Sequence, residues 1–431
     1  MAELLIDTRV LPRAHTPPPP LGLSEEAGRT LLSVTACALL VATILFNPLL
    51  AWANGHVAPI SASIVSVMQG GIVVAALLLG LLQPPVLAAR WWIATALLVM
   101  AVMLIGAIRA QFNPKALGDV LLIPAFILLG TAIRADMFRR TMLLTQTVIL
   151  IVGAWELMRP AQYGDLFNVV QYYVNTRGYD ADAFWAGGSL FLSSERPGGR
   201  LLLGGFGFHR GSSLFLEPVS LGNWAVVATL FTAACWHELS LRARAYMIAS
   251  TFALLVVCDG RLALTVALIF CLYLPISQGL PDRWSAAYLP GMILLLSLGG
   301  HLGLLMPNGD NFAGRLGIGI NAWGTMDVER LLGISRHMAH LDDAGWADFV
   351  QSQSIFVALG LWLLLTLTGF GPGRGNRMAK HGIMLFIILC LPISNSLLSI
   401  KTAATMWALY GFCFARWRKE RDETMRAPAL A

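Results

Sequence analysis

Three groups of residues in this chain have types and spacings suited to holding an anion or moving a proton. The first is Arg210-Gly211-Ser212-Ser213 followed by Glu217-Pro218. Proline suits the first position of a helix and a carboxylate favours the positive helix end, so a helix is expected to start here, capped by Glu217 with Arg210 above it. The glycines of Gly204-Gly205-Phe206-Gly207-Phe208 and Gly211 would let backbone N–H groups approach a phosphate. Such a clamp has Arg210 oriented by Glu217 and Ser213 beside the ligand. The structural alternative is an interfacial arginine snorkelling next to a well-capped helix. The glycine run has no lysine–serine ending and no preceding soluble strand, which excludes a nucleotide-binding P-loop.

The second group lies downstream, with Arg315 in Asn311-Phe-Ala-Gly-Arg315 and then Arg336-His337-Met338-Ala339-His340-Leu341-Asp342-Asp343. Two histidines three apart share a helix face and could bind metal with Asp342 or Asp343, but no third strong ligand is evident. A general-base or hydrogen-bonding role for one histidine is the expectation, without metal or other cofactor. A surface histidine without a role is the plain alternative. The third group is Asp259-Gly260-Arg261 and Lys401, each at a junction between two short apolar segments. Charges below a membrane surface cost about 2.5 to 3.5 kcal/mol each and normally line a cavity or pair. An outward-opening polar cavity is expected there. Alternatively, Asp259 neutralises Arg261 or Lys401 as a structural ion pair.

These residues need a scaffold, and composition says which kind. The chain has 431 residues, 57% hydrophobic and 13% charged, with mean hydropathy +0.68, against roughly 25% charged in soluble domains. Runs of about 20 apolar residues match a hydrocarbon core of about 30 Å. Spans are predicted at 28–48, 57–82, 88–108, 118–133, 141–157, 214–236, 246–258, 262–276, 286–305, 351–369, 382–399 and 402–415. Without the alternation of barrel strands, these are helices, and the fold class is an all-α polytopic membrane protein. The segments 246–258 and 262–276 span 13 and 15 positions, about 20 and 22 Å of helix, so their hinge should sit below the surface.

Twelve helices leave both termini on one side. With cytoplasmic termini, the inner connections hold Arg90, Arg134, Arg139, Arg140, Arg242, Arg244, Arg283, Arg374, Arg377 and Lys380, ten basic residues against four outside (Arg109, Lys115, Arg261, Lys401). The net charge of +6 is therefore a topology signal and gives no support for nucleic-acid binding. Two long polar stretches, 158–213 and 306–350, fall on the outer side. They carry Arg159, Arg177, Arg196, Arg200, Arg210, Arg315, Arg330 and Arg336 and no lysine. Arginine's planar fork matches phosphate, so the chemistry is expected on that side.

Residues 1–27 read as a cytoplasmic tail with an extended Pro17–Pro20 run and no signal peptide, Ser24 starting the first helix; 28–415 form the membrane domain, and 416–431 a basic tail. The six cysteines lack paired spacing and read as core packing.

Arg-x-x-Ser-x-x-x-Glu-Pro entering a helix (Arg210, Ser213, Glu217, Pro218), Gly260-Arg261-Leu-Ala-Leu, and Asp348-x-x-x-Ser352 before a helix with Gly360 resemble the O-antigen polymerase and ligase superfamily. The resemblance covers most of the chain in topology, and size and polar N-terminus place it nearest the Wzy-type exopolysaccharide polymerases of the xanthan kind. It implies a GT-C-like, metal-independent, inverting glycosyl transferase of the bacterial inner membrane with a periplasmic site. Donor and acceptor would be undecaprenyl-diphosphate-linked oligosaccharides, with chain-length regulators and export proteins as partners. Arg210 and Arg315 would clamp the leaving diphosphate and His337 would be the base, with Glu217, Ser213, Asp259, Arg261, Arg336, His340 and Lys401 binding substrate. Ligases of this superfamily carry a polar residue after that histidine, whereas Met338 follows here, which favours polymerase. The rival class is a transporter or lipid-oligosaccharide flippase, against which stands the lack of half-to-half similarity.

Overall fold

The computed structural model describes residues 25–426 apart from 181–183, 185–187, 196–198, 307–311, 340 and 342–343. The Pro17–Pro20 run, Ser24, Arg196, Asn311, His340, Asp342 and Asp343 lie outside the described residues.

The described chain is helical and contains no strand. In order, the helices are α1 (Glu25–His56), α2 (Ala62–Leu81), α3 (Pro85–Arg109), α4 (Pro114–Thr131), α5 (Ala135–Met158), α6 (Pro160–Phe167), α7 (Val169–Arg177), α8 (Pro218–Ala234) and α9 (Leu241–Cys258). There follow α10 (Arg261–Ser277), α11 (Tyr288–His301), α12 (Phe312–Gly324), α13 (Val328–Leu331), α14 (Gly345–Gln353), α15 (Ile355–Leu367), α16 (Arg374–Cys390) and α17 (Ile400–Arg426). Their starts follow local rules. Ser61, Asn113 and Ser240 accept the amides of Ile64, Ala116 and Ala243 at 3.4, 3.2 and 3.3 Å, and Pro114 and Pro218 occupy first-turn positions.

Each of the twelve predicted spans contains a helix. Among the described residues six helices, α1 to α5 and α9, are long and apolar enough to cross a membrane, and a seventh span arises if α14 and α15, bent by 111°, count as one. Boundaries differ where caps and tails decide. The predicted 13-residue segment at 246 is an 18-residue helix, because Ser240 starts it one turn earlier. The predicted 14-residue segment at 402 belongs to the 27-residue α17. That helix is the centre of the bundle: Ala404, Met406, Ala408, Leu409, Tyr410 and Cys413 are fully buried. Of the six cysteines, all but Cys271 are buried.

Polar connections gather at two ends. At one, Arg139 meets Glu238 at 3.2 Å, Arg416 meets both Glu238 and Asn376, and Arg90 donates to Thr368 at 3.0 Å. At the other lie both long polar stretches. The first contributes α6 and α7, whose Tyr163, Tyr172 and Tyr173 form a satellite core with Ala51, Ile60, Phe184, Leu190 and Leu216. The second contributes α12, α13 and the start of α14. The turn before α17 and the head of α17 touch the two stretches in turn: Asn395 donates to Asp348 at 2.9 Å, and Lys401 lies 3.5 Å from Tyr173 OH.

Candidate functional site

The α9–α10 hinge is built as a socket for the first polar stretch. Asp259 ends α9 in the left-handed region at φ +47°, and its carboxylate accepts the amides of Leu201 (2.9 Å) and Leu202 (2.8 Å). A helix C-terminus leaves carbonyls without internal partners. Here the loop supplies them: Arg200 donates to Val256 O, Gly211 N to Val257 O at 2.9 Å, and Arg210 Nε to Cys258 O at 3.0 Å. Gly211 has no room for a side chain, since a Cβ would lie 2.5 Å from Val257 Cγ1.

Arg210 is thus 5% exposed and committed to carbonyls, Nη1 also reaching Ser193 O at 2.8 Å. The expected orientation of Arg210 by Glu217 is corrected: the guanidinium caps α9, and Glu217 is held by other groups. The physical reason is that helix-end carbonyls inside a bundle have no water and take the nearest fork of donors. Asp259 is anchored to the loop and Lys401 pairs with Glu217, so of the two partners that the alternative reading offered Asp259 (Arg261 and Lys401), the second is engaged elsewhere. Arg261 opens α10 and is half-buried. Removing the Asp259 carboxylate with Asp259→Ala takes the acceptor from two partly buried loop amides, each charge-assisted bond being worth about 1.5–3 kcal/mol. Limited proteolysis should cut within 200–209 at least about tenfold faster, with global melting changed little.

A carboxylate that sequence reasoning missed lies beneath the same segment. Glu156 is fully buried, and its Oε2 accepts the amides of Ser212 (2.7 Å) and Ser213 (2.6 Å). Its Oε1 faces His209 Nε2 at 3.5 Å. The signal was present, as an acid inside a predicted span is costly enough to mark a functional or structural partner. Ser213, at φ +50°, donates its hydroxyl to Ile149 O at 2.6 Å, and Tyr163 donates to its carbonyl.

The head of α8 and the head of α17 meet in an ionic cluster. Glu217 stands at the N-cap position of α8 and accepts Ser220 Oγ at 3.0 Å, Tyr173 OH at 2.8 Å, Lys401 Nζ at 3.1 Å and Arg177 Nη2 at 2.5 Å. Lys401 is 3% exposed and also approaches Phe215 O at 3.5 Å. Arg177 is 41% exposed at its side chain and stacks 4.9 Å from the Tyr173 ring. Burial, then the neighbouring Glu217 carboxylate, pushes the Tyr173 phenol well above its ordinary value, so it donates. Two cations share one carboxylate. The cluster retains positive charge, with Arg177 at its wet edge.

The second stretch is organised around α14. Asp348 accepts Gln351 at 3.1 Å and Asn395 at 2.9 Å, and Gln351 clasps both the amide and carbonyl of Ala339. Arg109, 5% exposed, donates to the carbonyl of Gln351 and lies 3.6 Å from Met338 Sδ. At Ser354, φ +89°, the chain turns into α15. Arg315 is half-buried on α12, whereas Arg336 and His337 are exposed. Arg330 donates to Thr325 O at 3.0 Å, closing a local turn. Among the described residues no group of three His, Cys, Asp or Glu side chains could hold a metal ion.

Glu217 and Lys401 are therefore brought together, Arg210 and Asp259 share the α9 hinge, and His337 joins neither. In comparisons with family models, curated proteins and solved structures, nothing matches this chain.

Proposed function

We propose that this helical protein, with apolar spans fit for a bilayer, is a membrane glycosyl transferase of the O-antigen polymerase and ligase type. It uses undecaprenyl-diphosphate-linked oligosaccharides as donor and acceptor to extend a bacterial exopolysaccharide. On this proposal the twelve helices all cross the inner membrane in a GT-C-like arrangement, both termini are cytoplasmic, and the chemistry lies at the periplasmic end. The observation that carries it is the Lys401–Glu217–Arg177 cluster: two cations share one carboxylate beside the first polar stretch, and Asn395, just before α17, holds Asp348 of the second.

Breaking an anomeric C–O bond develops negative charge on the leaving diphosphate. A preorganised cation in a water-poor site stabilises that charge without reorganising, and one comparable donor is worth about 10²- to 10³-fold in rate when buried. On this proposal Arg177 reaches the diphosphate from the wet edge, Lys401 holds the field from beneath, and Arg315 on α12 supplies a second arginine. Arg210 then serves by fixing the loop that carries Ser212 to Glu217. The acceptor hydroxyl attacks the anomeric carbon from the face opposite the diphosphate, which inverts the centre and needs no metal.

Because Arg177 is partly solvated and screened, Arg177→Gln should lower polymer in cells by about tenfold rather than abolish it. Lipid-linked repeat units should accumulate, already exposed on the outer face. Polymerisation by purified protein from a synthetic lipid-linked unit should persist with chelator present. A second reading, a lipid-oligosaccharide flippase, draws on the 111° break between α14 and α15, since interrupted helices mark transporter sites. Accumulation on the cytoplasmic face would select it.

A further inference from the structure

We infer that Glu156 and His209 form a proton-accepting dyad that serves the acceptor hydroxyl, in place of His337; the inference rests on the glycosyl-transfer proposal. Glu156 is fully buried at the end of α5. One of its oxygens is used structurally, taking the Ser212 and Ser213 amides. The other, Oε1, has no hydrogen-bond partner and faces His209 Nε2, itself buried and unpartnered, across 3.5 Å. A fully buried carboxylate oxygen and an imidazole nitrogen aimed at one another call for an explanation.

The geometry supplies one. A carboxylate beside Nε2 selects the tautomer with the proton on Nε2 and leaves the lone pair on Nδ1, on a ring whose side chain is 9% exposed. At 3.5 Å the contact is long, as catalytic hydrogen bonds often are before substrate binds. The ring is held from its backbone side, because Arg200 donates to His209 O, while Arg210 is turned to Cys258 and Ser193 carbonyls. Between His209 and Glu217 the chain runs only through the segment strapped to Glu156, so base and diphosphate site share one rigid stretch. His337, by contrast, is exposed.

In the step, the hydroxyl oxygen of the acceptor sugar bonds to the anomeric carbon of the donor. The anomeric C–O bond to the diphosphate breaks, and its electron pair leaves with the diphosphate. The hydroxyl proton passes to His209 Nδ1, and the imidazolium returns it to water. Glu156 acts through the ring as a positioning residue.

Purified protein with the synthetic lipid-linked unit gives the first arm of the test. His209→Gln keeps a donor near the Nε2 position and should lower kcat by about 10²-fold or more with KM nearly unchanged, whereas His337→Gln should stay within about twofold of wild type. His209→Ala should be rescued by added imidazoles, the rescued rate rising with their basicity, which a merely structural residue would not produce. Full activity of His209→Gln, or rescue indifferent to basicity, overturns the dyad.

The second arm does not depend on turnover. Diethyl pyrocarbonate followed by peptide mass mapping should modify His209 faster than the exposed His337, and Glu156→Gln should slow it severalfold. Protection of His209 equally overturns the dyad. If wild type makes no polymer while His209 is hyper-reactive, glycosyl transfer falls and the dyad's role toward the acceptor hydroxyl falls with it, leaving only the activated His209–Glu156 pair.

Discussion

Glu217→Ala is expected to destabilise the protein by about 3–5 kcal/mol, the range for removing one partner of a buried ion pair. Lys401 is sealed at the head of α17 and Glu217 is 13% exposed at its side chain, so the ammonium would lose its carboxylate without gaining water. Tyr173 and Ser220 would lose an acceptor as well. Reversible unfolding in mixed micelles gives the measurement. Pairing the change with Lys401→Met should restore most of the loss, since removing both charges removes the desolvation penalty with them. A single-variant loss below about 1 kcal/mol would mean that water reaches the pair, and the claim of a water-poor site would fail.

Gly411→Val should yield little folded protein, and Gly411→Ala should lose more than about 3 kcal/mol, above the usual overpacking range of about 1–3 kcal/mol. The α4–α17 crossing brings backbone onto backbone. A Cβ at Gly411 would fall on the carbonyl of Ile127, and one at Gly130 on the carbonyl of Ala408, both far inside van der Waals contact. Neither carbonyl can step aside, because each belongs to a helix whose neighbouring residues are fully buried. Small residues at such crossings let helices approach where lipid offers no hydrophobic drive. Gly118 on α4 is the control: a Cβ there meets nothing within 4 Å. Gly118→Ala should be neutral or gain up to about 1 kcal/mol from helix propensity. Expression level and melting temperature in detergent read all three.

Local signals carried well from sequence to structure. Pro218 after Glu217 starts α8, the Asp259-Gly260-Arg261 hinge separates α9 from α10, and a residue of each arginine-rich stretch contacts the 395–401 region. These follow from capping and from charge placement, which act over a few residues. What was not legible depends on distance along the chain. Glu217 and Lys401 are 184 positions apart, and nothing in either neighbourhood names the other. Arg210 looked like a phosphate ligand because its type and glycine neighbours fit one. The carbonyls of α9 that claim it become visible only when the helix end is placed beside the loop. The length of α17 was hidden for another reason: its apolar stretch continues without a break into a basic segment that a hydropathy window discards. Glu156 stood in view as an acid within an apolar run, and only the loop folded over it reveals what it holds.

The concealment of the thiols gives a practical handle on orientation. Five of them are packed inside, and Cys271 on α10 is exposed. A Cys271→Ser chain is therefore a dark background to a hydrophilic maleimide, and a cysteine installed at 177 or at 206 would be its only responsive handle. Tagging intact cells and then opened ones would reveal which compartment the arginine-bearing end confronts.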